Sequence, residues 1–87
     1  MGRVRVIMEL VIDLRSPEPS YRQLAGKLRA AIESGEIGPG EPLPSLSYLV
    51  QETGLAGNTV RKAIGVLADE GLVVTVQGRG TYAALRK

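Results

Sequence analysis

Apolar residues repeat at helical spacing in three separate segments of the chain. The apolar positions are Leu24, Leu28, Ala31 and Ile32 in the first segment, Leu46, Leu49 and Val50 in the second, and Val60, Ala63, Ile64 and Leu67 in the third. Spacings of three and four residues place the side chains of each set on one face of a helix. The pattern therefore predicts three amphipathic helices.

Residues that flank these segments are typical of helix starts and stops. Ser20 precedes Gln23 by three residues, a capping-box spacing that predicts the start of the first helix. Ser45 is a typical cap for the second helix, and residues 54–58 form a short turn before the third. Residues 37–44 (IGPGEPLP) predict a rigid connector without regular structure. Glycines that follow the apolar segments predict the three helix ends, at Gly35, Gly54 and Gly71.

Two further segments have the pattern of β-structure. Residues 72–76 (LVVTV) and 81–84 flank the glycine-containing turn 77–80 (QGRG), which predicts a hairpin. Residues 4–12 place apolar side chains at even positions, which predicts a half-buried strand. Two helices joined by a tight turn and followed by a hairpin indicate a winged helix-turn-helix, an α+β fold that is mainly α. The predicted organisation is a strand and linker over residues 1–19, the winged helix-turn-helix over 20–84 and a tail over 85–87.

The N-terminal strand has two interpretations. An unpaired apolar strand edge is a hazard in so small a protein, so the strand could form a dimer contact. It could equally cover the core of its own domain.

Composition narrows the classes of function. The 87 residues suffice for one small domain. The absence of Cys and His excludes thiol nucleophiles, imidazole bases and the common zinc ligands. Catalysis would depend on carboxylates and lysines such as Asp69, Glu70 and Lys62, whose spacing does not suggest a paired acid and base. We therefore expect no enzyme activity, no metal and no cofactor.

Charge and hydropathy set two more expectations. The apolar N-terminal segment is interrupted by charged residues and is too short for a membrane span or a signal peptide, so we expect a soluble cytoplasmic protein with no membrane partner. The net charge is only +2. The position of the positive charges, and not their number, therefore decides whether the partner is an anionic polymer.

Several short motifs between Tyr21 and Tyr82 occur in an order typical of one family. They are Tyr21-Arg22-Gln23-Leu24, Leu28-Arg29 with Ile32 and Gly35, Pro39-Gly40 leading to Leu43-Pro44-Ser45, Thr59-Val60-Arg61-Lys62-Ala63, Glu70-Gly71-Leu72 and Gly78-Arg79-Gly80-Thr81. With this order and spacing, the chain resembles the GntR family of bacterial transcription regulators. The resemblance implies a winged helix that binds double-stranded DNA.

Members of that family usually carry a second, C-terminal domain that binds a small-molecule effector and often dimerises the protein. The sequence stops at Lys87. We therefore expect either an excised fragment or a short form that lacks the sensor, with no effector site in this chain.

The third helix is the predicted reading helix, because the second helix of a helix-turn-helix lies in the major groove. A helical wheel places Asn58 and Lys62 away from the core, with Thr59 and Arg61 on the flanks. Asn can pair with adenine, Arg or Lys with guanine, and Thr with a phosphate or a thymine methyl. Asn58 could equally cap the helix, and Arg61 and Lys62 could be ordinary solvated charges. The resemblance implies a DNA-contacting arginine at Arg61.

Two other segments complete the predicted site. Ser45 and the free amides at the start of the second helix suit a phosphate, although capping alone would explain Ser45. Arg79 at the hairpin tip could enter a minor groove, although Gly-Arg-Gly is also a common turn. The predicted DNA-binding residues are Ser45, Ser47, Gly57, Asn58, Thr59, Arg61, Lys62, Gly78, Arg79 and Gly80.

The chain also departs from the family pattern. Where relatives typically carry two DNA-contacting arginines, this chain has Ser47 and Gly57. Each lost phosphate contact should reduce the slope of log binding constant against log salt concentration by roughly one unit. We therefore expect weaker or differently specific binding to DNA. Ala56 replaces the serine that usually caps the third helix, a loss of about 1 kcal/mol unless the helix starts at Asn58.

The leading hypothesis is a sequence-specific DNA-binding regulator, a repressor that acts as a homodimer on an inverted repeat. The alternative is a winged helix that has lost affinity for DNA and binds another protein. A continuous positive strip along the third helix and the hairpin would favour DNA, and a neutral or apolar patch would favour a protein partner.

Overall fold

The computed structural model describes residues 10–85. Three helices are followed by an antiparallel hairpin, as the sequence predicts. The elements are α1 (Ser20–Ser34), α2 (Leu46–Thr53), α3 (Gly57–Asp69), β1 (Val73–Val76) and β2 (Gly80–Ala83). This confirms the mainly helical α+β fold.

A single aliphatic core joins the three helices and the hairpin. α3 lies at its centre, packed against α1, α2 and β1. The largest fully buried side chains are Leu24, Leu28, Leu49, Val60 and Leu67, all of which belong to the predicted apolar faces. Each contributes about 1.5–3 kcal/mol by its removal from water. Of the other predicted inward residues, Leu46, Val50 and Ile64 are only half-buried against this core.

The N-terminal segment approaches the core without forming a strand at residues 10–12. Leu10 is 8% exposed and belongs to the core, whereas Val11 is 70% exposed. The rest of the predicted strand, residues 4–9, lies outside the described part of the chain. Leu10 thus helps to cover the core of its own domain, and the dimer contact stays a prediction.

α1 begins at Ser20, as predicted, but the capping box predicted there is wrong. Pro19 occupies the cap position, and Ser20 is the first helical residue with no side-chain cap bond. The Gln23 carboxamide binds the preceding segment instead: its Oε1 accepts from the Asp13 N–H at 2.8 Å, and its Nε2 donates to the carbonyls of Asp13 and Glu18 at 2.9 Å each. Gln23 therefore fastens residues 13–18 to α1.

The predicted boundaries of α2 are confirmed. The Ser45 Oγ accepts from the Tyr48 N–H at 3.1 Å, which satisfies one of the amides that a helix start leaves open. α1 and α2 end at Gly35 and Gly54, whose φ angles of +90° and +76° suit glycine. α3 ends at Asp69, two residues before the predicted glycine.

The Gly-Pro connector has more regular pairing than the sequence predicts. The Leu43 N–H donates to the Thr81 carbonyl at 2.9 Å, and the Ala83 N–H donates to the Glu41 carbonyl at 2.8 Å. Pro42 thereby forms an isolated bridge with Tyr82, so β2 lies between β1 and the connector. The connector ties the hairpin to the start of α2.

α3 begins without a side-chain cap. Ala56 holds the cap position, and the helix start does not shift to Asn58, which is the second helical residue. The amides at this end therefore lack the acceptor that Ser, Thr, Asp or Asn would supply.

We predict that Ala56→Ser stabilises the protein by about 1 kcal/mol, because the new hydroxyl can accept from an open amide of α3. The midpoint of urea unfolding measures this effect. Ala30→Ser, at an exposed position inside α1, is the matched control and should be neutral or slightly destabilising. An Ala56→Ser midpoint at or below that of the wild type would contradict the uncapped start.

A bidentate ion pair joins α1 to the end of α3. The Arg29 Nε donates to the Glu70 Oε1 at 2.9 Å, and its Nη2 donates to Oε2 at 2.8 Å. These hydrogen bonds lower the pKa of the Glu70 carboxyl below its usual value of 4.5. A lowered pKa in the folded state stabilises the fold above the usual pKa, and the stabilisation disappears as pH falls through the lowered pKa.

We therefore predict that Glu70→Gln lowers the urea midpoint at pH 7 and that the difference from the wild type shrinks as pH falls below 4.5, because protonated Glu70 no longer accepts both bonds as a carboxylate. Denaturation curves measured across that pH range test this. Glu52→Gln, at an exposed position on α2, serves as the control. A Glu70→Gln deficit that stays constant on acidification would show that the ion pair is not its source.

Candidate nucleic-acid interface

The first turns of α3 present a polar face opposite the core. Val60 and Ala63 are fully buried, while Asn58, Arg61 and Lys62 are exposed. Gly57 and Thr59 are half-buried at the start of the same helix. Packing of α3 on the core therefore leaves the predicted reading residues accessible.

Asn58 does not cap α3. It lies in the first turn of the helix, and its Oδ1 accepts a hydrogen bond from the Arg61 Nη1 at 3.3 Å. The two residues are three positions apart and share one side of the helix. The structure thus pairs two of the predicted base readers with each other and rules out the capping interpretation of Asn58.

Lys62 points toward the start of α1. Its Nζ lies 4.4 Å from the centroid of the Tyr21 ring, a cation–π distance. Arg22 lies near the same ring, 5.9 Å from the centroid, and its Nε donates to the Tyr21 Oη at 3.4 Å. That hydrogen bond, with the positive charges of Arg22 and Lys62, lowers the pKa of the Tyr21 phenol.

Neither Tyr21 nor Arg22 belongs to the site predicted from the sequence. Both belong to the motif Tyr21-Arg22-Gln23-Leu24 that contributes to the family resemblance, but their approach to Lys62 depends on the packing of α1 against α3. A contact between residues some forty positions apart leaves no local pattern that could have predicted it.

The start of α2 supplies hydroxyl groups and no cation. The Ser45 Oγ already accepts the capping bond, and its own hydroxyl hydrogen remains available to an anion. Ser47 is exposed on the first turn of α2. Neither Ser47 nor Gly57 can supply the positive charge that the family pattern places at its position.

The hairpin turn exposes a single basic side chain. Arg79 lies between Gly78 and Gly80, whose φ angles are +81° and +126°. The Arg79 N–H donates to the Val76 carbonyl at 2.9 Å, which closes the turn. All three residues are exposed, so the backbone and the guanidinium are accessible at the tip.

The charge distribution separates the two ends of α3. Residues 54–68 and 72–85 contain Arg61, Lys62 and Arg79 and no Asp or Glu. Asp69 and Glu70 follow at the opposite end of the helix. The first turns of α3 and the hairpin therefore carry positive charge without acidic residues of their own, as contact with a polyanion requires.

Within residues 10–85, carboxylates do not gather in threes at any place that could hold a metal ion. Of the helices in that part of the chain, none is long and apolar enough to cross a membrane.

Comparison with known proteins identifies the family. The family model of the bacterial regulatory proteins, gntR family, matches residues 20–83 of this sequence. The chain is 38% identical over 76 residues to the HTH-type transcriptional repressor NagR of Bacillus subtilis, covering 87% of this chain and 31% of NagR. It is 39% identical over 71 residues to the HTH-type transcriptional repressor YtrA of the same organism, covering 82% of this chain and 55% of that relative. The matched part is thus about a third to a half of these relatives.

Solved structures show the same fold. The DNA-binding domain of AraR in complex with operator ORX1 superposes with a TM-score of 0.80 at 35% identity, covering 85% of this chain and 94% of that one. YtrA from Sulfolobus acidocaldarius, a GntR-family transcription factor, also gives a TM-score of 0.80, at 36% identity over 94% of this chain and 84% of that one. By sequence and by fold, the chain belongs to the GntR family of bacterial regulatory proteins.

Proposed function

We propose that this chain is a sequence-specific DNA-binding module of a transcriptional regulator and that α3 lies in the major groove. The observation that carries the proposal is the face formed by Asn58, Arg61 and Lys62, which is exposed, basic and free of acidic residues along its own helix turns. The AraR domain that shares this fold was solved bound to operator DNA, which supports the proposal. The family is one of regulators and not of enzymes.

Arg61 is the proposed guanine reader. A guanidinium has five N–H donors, and the Asn58 Oδ1 takes only one of them. The remaining donors suffice for the bidentate contact with guanine O6 and N7. Asn58 limits the rotation of the Arg61 side chain, and its amide NH₂ group stays available to an adjacent base or water.

The other predicted site residues contact phosphates or the edges of a groove. We propose that the Ser45 hydroxyl and the first amides of α2 bind a phosphate, and that Thr59 contacts a phosphate or a thymine methyl. Arg79 at the hairpin tip then meets the neighbouring minor groove or its phosphates, which Gly78 and Gly80 allow the backbone to approach. Ser47 and Gly57 lack charge, so the salt dependence of binding is shallow for a domain of this kind.

We further propose that the regulator is a repressor that binds an inverted repeat as a homodimer. NagR and YtrA are both named repressors, and symmetric half-sites suit a symmetric dimer. The alternative, a protein-interaction module, calls for a neutral or apolar patch along α3 and the hairpin. The hairpin does expose Val74 and Val76. The basic residues of α3 and Arg79 at the hairpin tip favour DNA instead.

We predict that Arg61→Ala weakens binding to the preferred duplex by about 1–3 kcal/mol, because a bidentate guanine contact is lost. Fluorescence anisotropy at one fixed salt concentration measures this, with a duplex enriched by the wild-type chain from a random library. Lys27→Ala removes a cation from α1 outside the predicted site and should bind like the wild type. Equal affinities for Arg61→Ala and the wild type would refute the role of Arg61.

A further inference from the structure

The two basic residues of the α3 face have different partners. The Arg61 guanidinium is hydrogen bonded to Asn58 on its own helix. The Lys62 ammonium is held over the Tyr21 ring, 4.4 Å from its centroid, at the start of α1. Arg61 thus directs its charge along α3, whereas Lys62 directs its charge toward α1.

The contact with the Tyr21 ring leaves Lys62 well placed to bind a phosphate. An aromatic face attracts the ammonium electrostatically and takes none of its three N–H donors. A lysine ammonium acts as a compact point charge without the planar fork that recognises guanine or a carboxylate. Tyr21 therefore holds this charge in place, and the N–H groups that point away from the ring are available to the oxygens of an anion.

Arg22 adds a second cation to the same place. It is exposed, lies 5.9 Å from the Tyr21 centroid and donates to the Tyr21 Oη through its Nε, which leaves both terminal nitrogens for another acceptor. By contrast, Arg29 is neutralised by its bidentate pair with Glu70. It lies about two turns further along α1. The excess positive charge of this region is thus concentrated at Arg22 and Lys62.

Two acidic residues line the cavity beside this cluster, and one of them, Glu70, is already paired with Arg29. Glu18 lines the same cavity as Tyr21 and Arg22, a space of about 220 Å³ between α1 and α3, and its charge acts on Arg22. The Glu18 carbonyl is bonded to Gln23, but that bond does not involve the Glu18 carboxylate. The carboxylate can therefore be neutralised by substitution without loss of the bond that fastens this segment to α1.

We propose that Tyr21, Arg22 and Lys62 form a phosphate-binding cluster at the junction of α1 and α3, which grips the DNA backbone beside the groove that Arg61 reads. Lys62 is then a backbone contact and not a base reader, and the Tyr21 ring is its positioning residue. The inference rests on the proposed function, since the phosphate belongs to bound DNA.

Lys62→Gln tests the cluster directly. Its dissociation constant is measured against salt concentration on the duplex enriched by the wild-type chain and on poly(dI-dC). Loss of one phosphate contact should make the plot of log dissociation constant against log salt concentration less steep by about 0.9. It should also weaken binding to both DNAs by the same factor. The preference for the enriched duplex should stay unchanged, whereas Arg61→Ala should reduce it. Lys27→Gln, the matched loss of a positive charge, should leave the slope unchanged.

Three further variants test the neighbours of Lys62. Tyr21→Phe keeps the ring face and should retain most of the slope, whereas Tyr21→Leu removes the ring and should shift the slope toward that of Lys62→Gln. Glu18→Gln removes the opposing charge and should tighten binding to both DNAs equally, a gain that unfolding could not produce. Circular dichroism of each variant serves as the control and should show the helix content of the wild type.

The outcomes separate this inference from the proposed function. If the wild type binds neither DNA at low salt, the proposed function fails, and the cluster fails with it. If the wild type binds but Lys62→Gln changes the preferred sequence or leaves the slope unchanged, the cluster alone is refuted. If Tyr21→Leu keeps the wild-type slope, the positioning role of the ring is refuted.

Discussion

The packing of α3 against α1 is the contact on which the rest of the structure depends. Leu24 and Leu28 of α1 and Val60 and Leu67 of α3 are fully buried in one aliphatic core. Because these residues fix the rotation of α3 about its axis, they decide that Asn58, Arg61 and Lys62 face outward. The Arg29–Glu70 ion pair ties the far end of α3 to the same partner helix.

The same packing sorts the charges of the domain. Arg29 is paired with Glu70 near the end of α3, while within residues 10–85 the partners of Arg61 and Lys62 near its start are neutral, an amide and a phenol ring. An unneutralised cation is available to a polyanion, whereas a bidentate ion pair is not. A chain with a net charge of +2 can therefore present a basic face, because α3 carries no acidic residue before Asp69 and Glu70 is paired with Arg29.

Local patterns in the sequence sufficed for the helices, the hairpin and the Ser45 cap, because spacing and cap chemistry act within a few residues. Tertiary contacts decided the rest. Gln23 matches a capping box, yet its carboxamide binds the Asp13 and Glu18 backbone. The outward positions of Asn58 and Lys62 on α3 were predicted correctly. The contact of Lys62 with Tyr21 could not be predicted, because it required two helices to meet.

We infer that the outer face of α3 and the hairpin tip enter the grooves of duplex DNA. Backbone amide chemical shifts, followed by NMR during titration with the enriched duplex, test it most directly. The largest changes should fall at residues 58–62 and 78–80, with small changes at residues 33–37 around the end of α1. Changes concentrated on residues 33–37, with α3 unaffected, would contradict the claim.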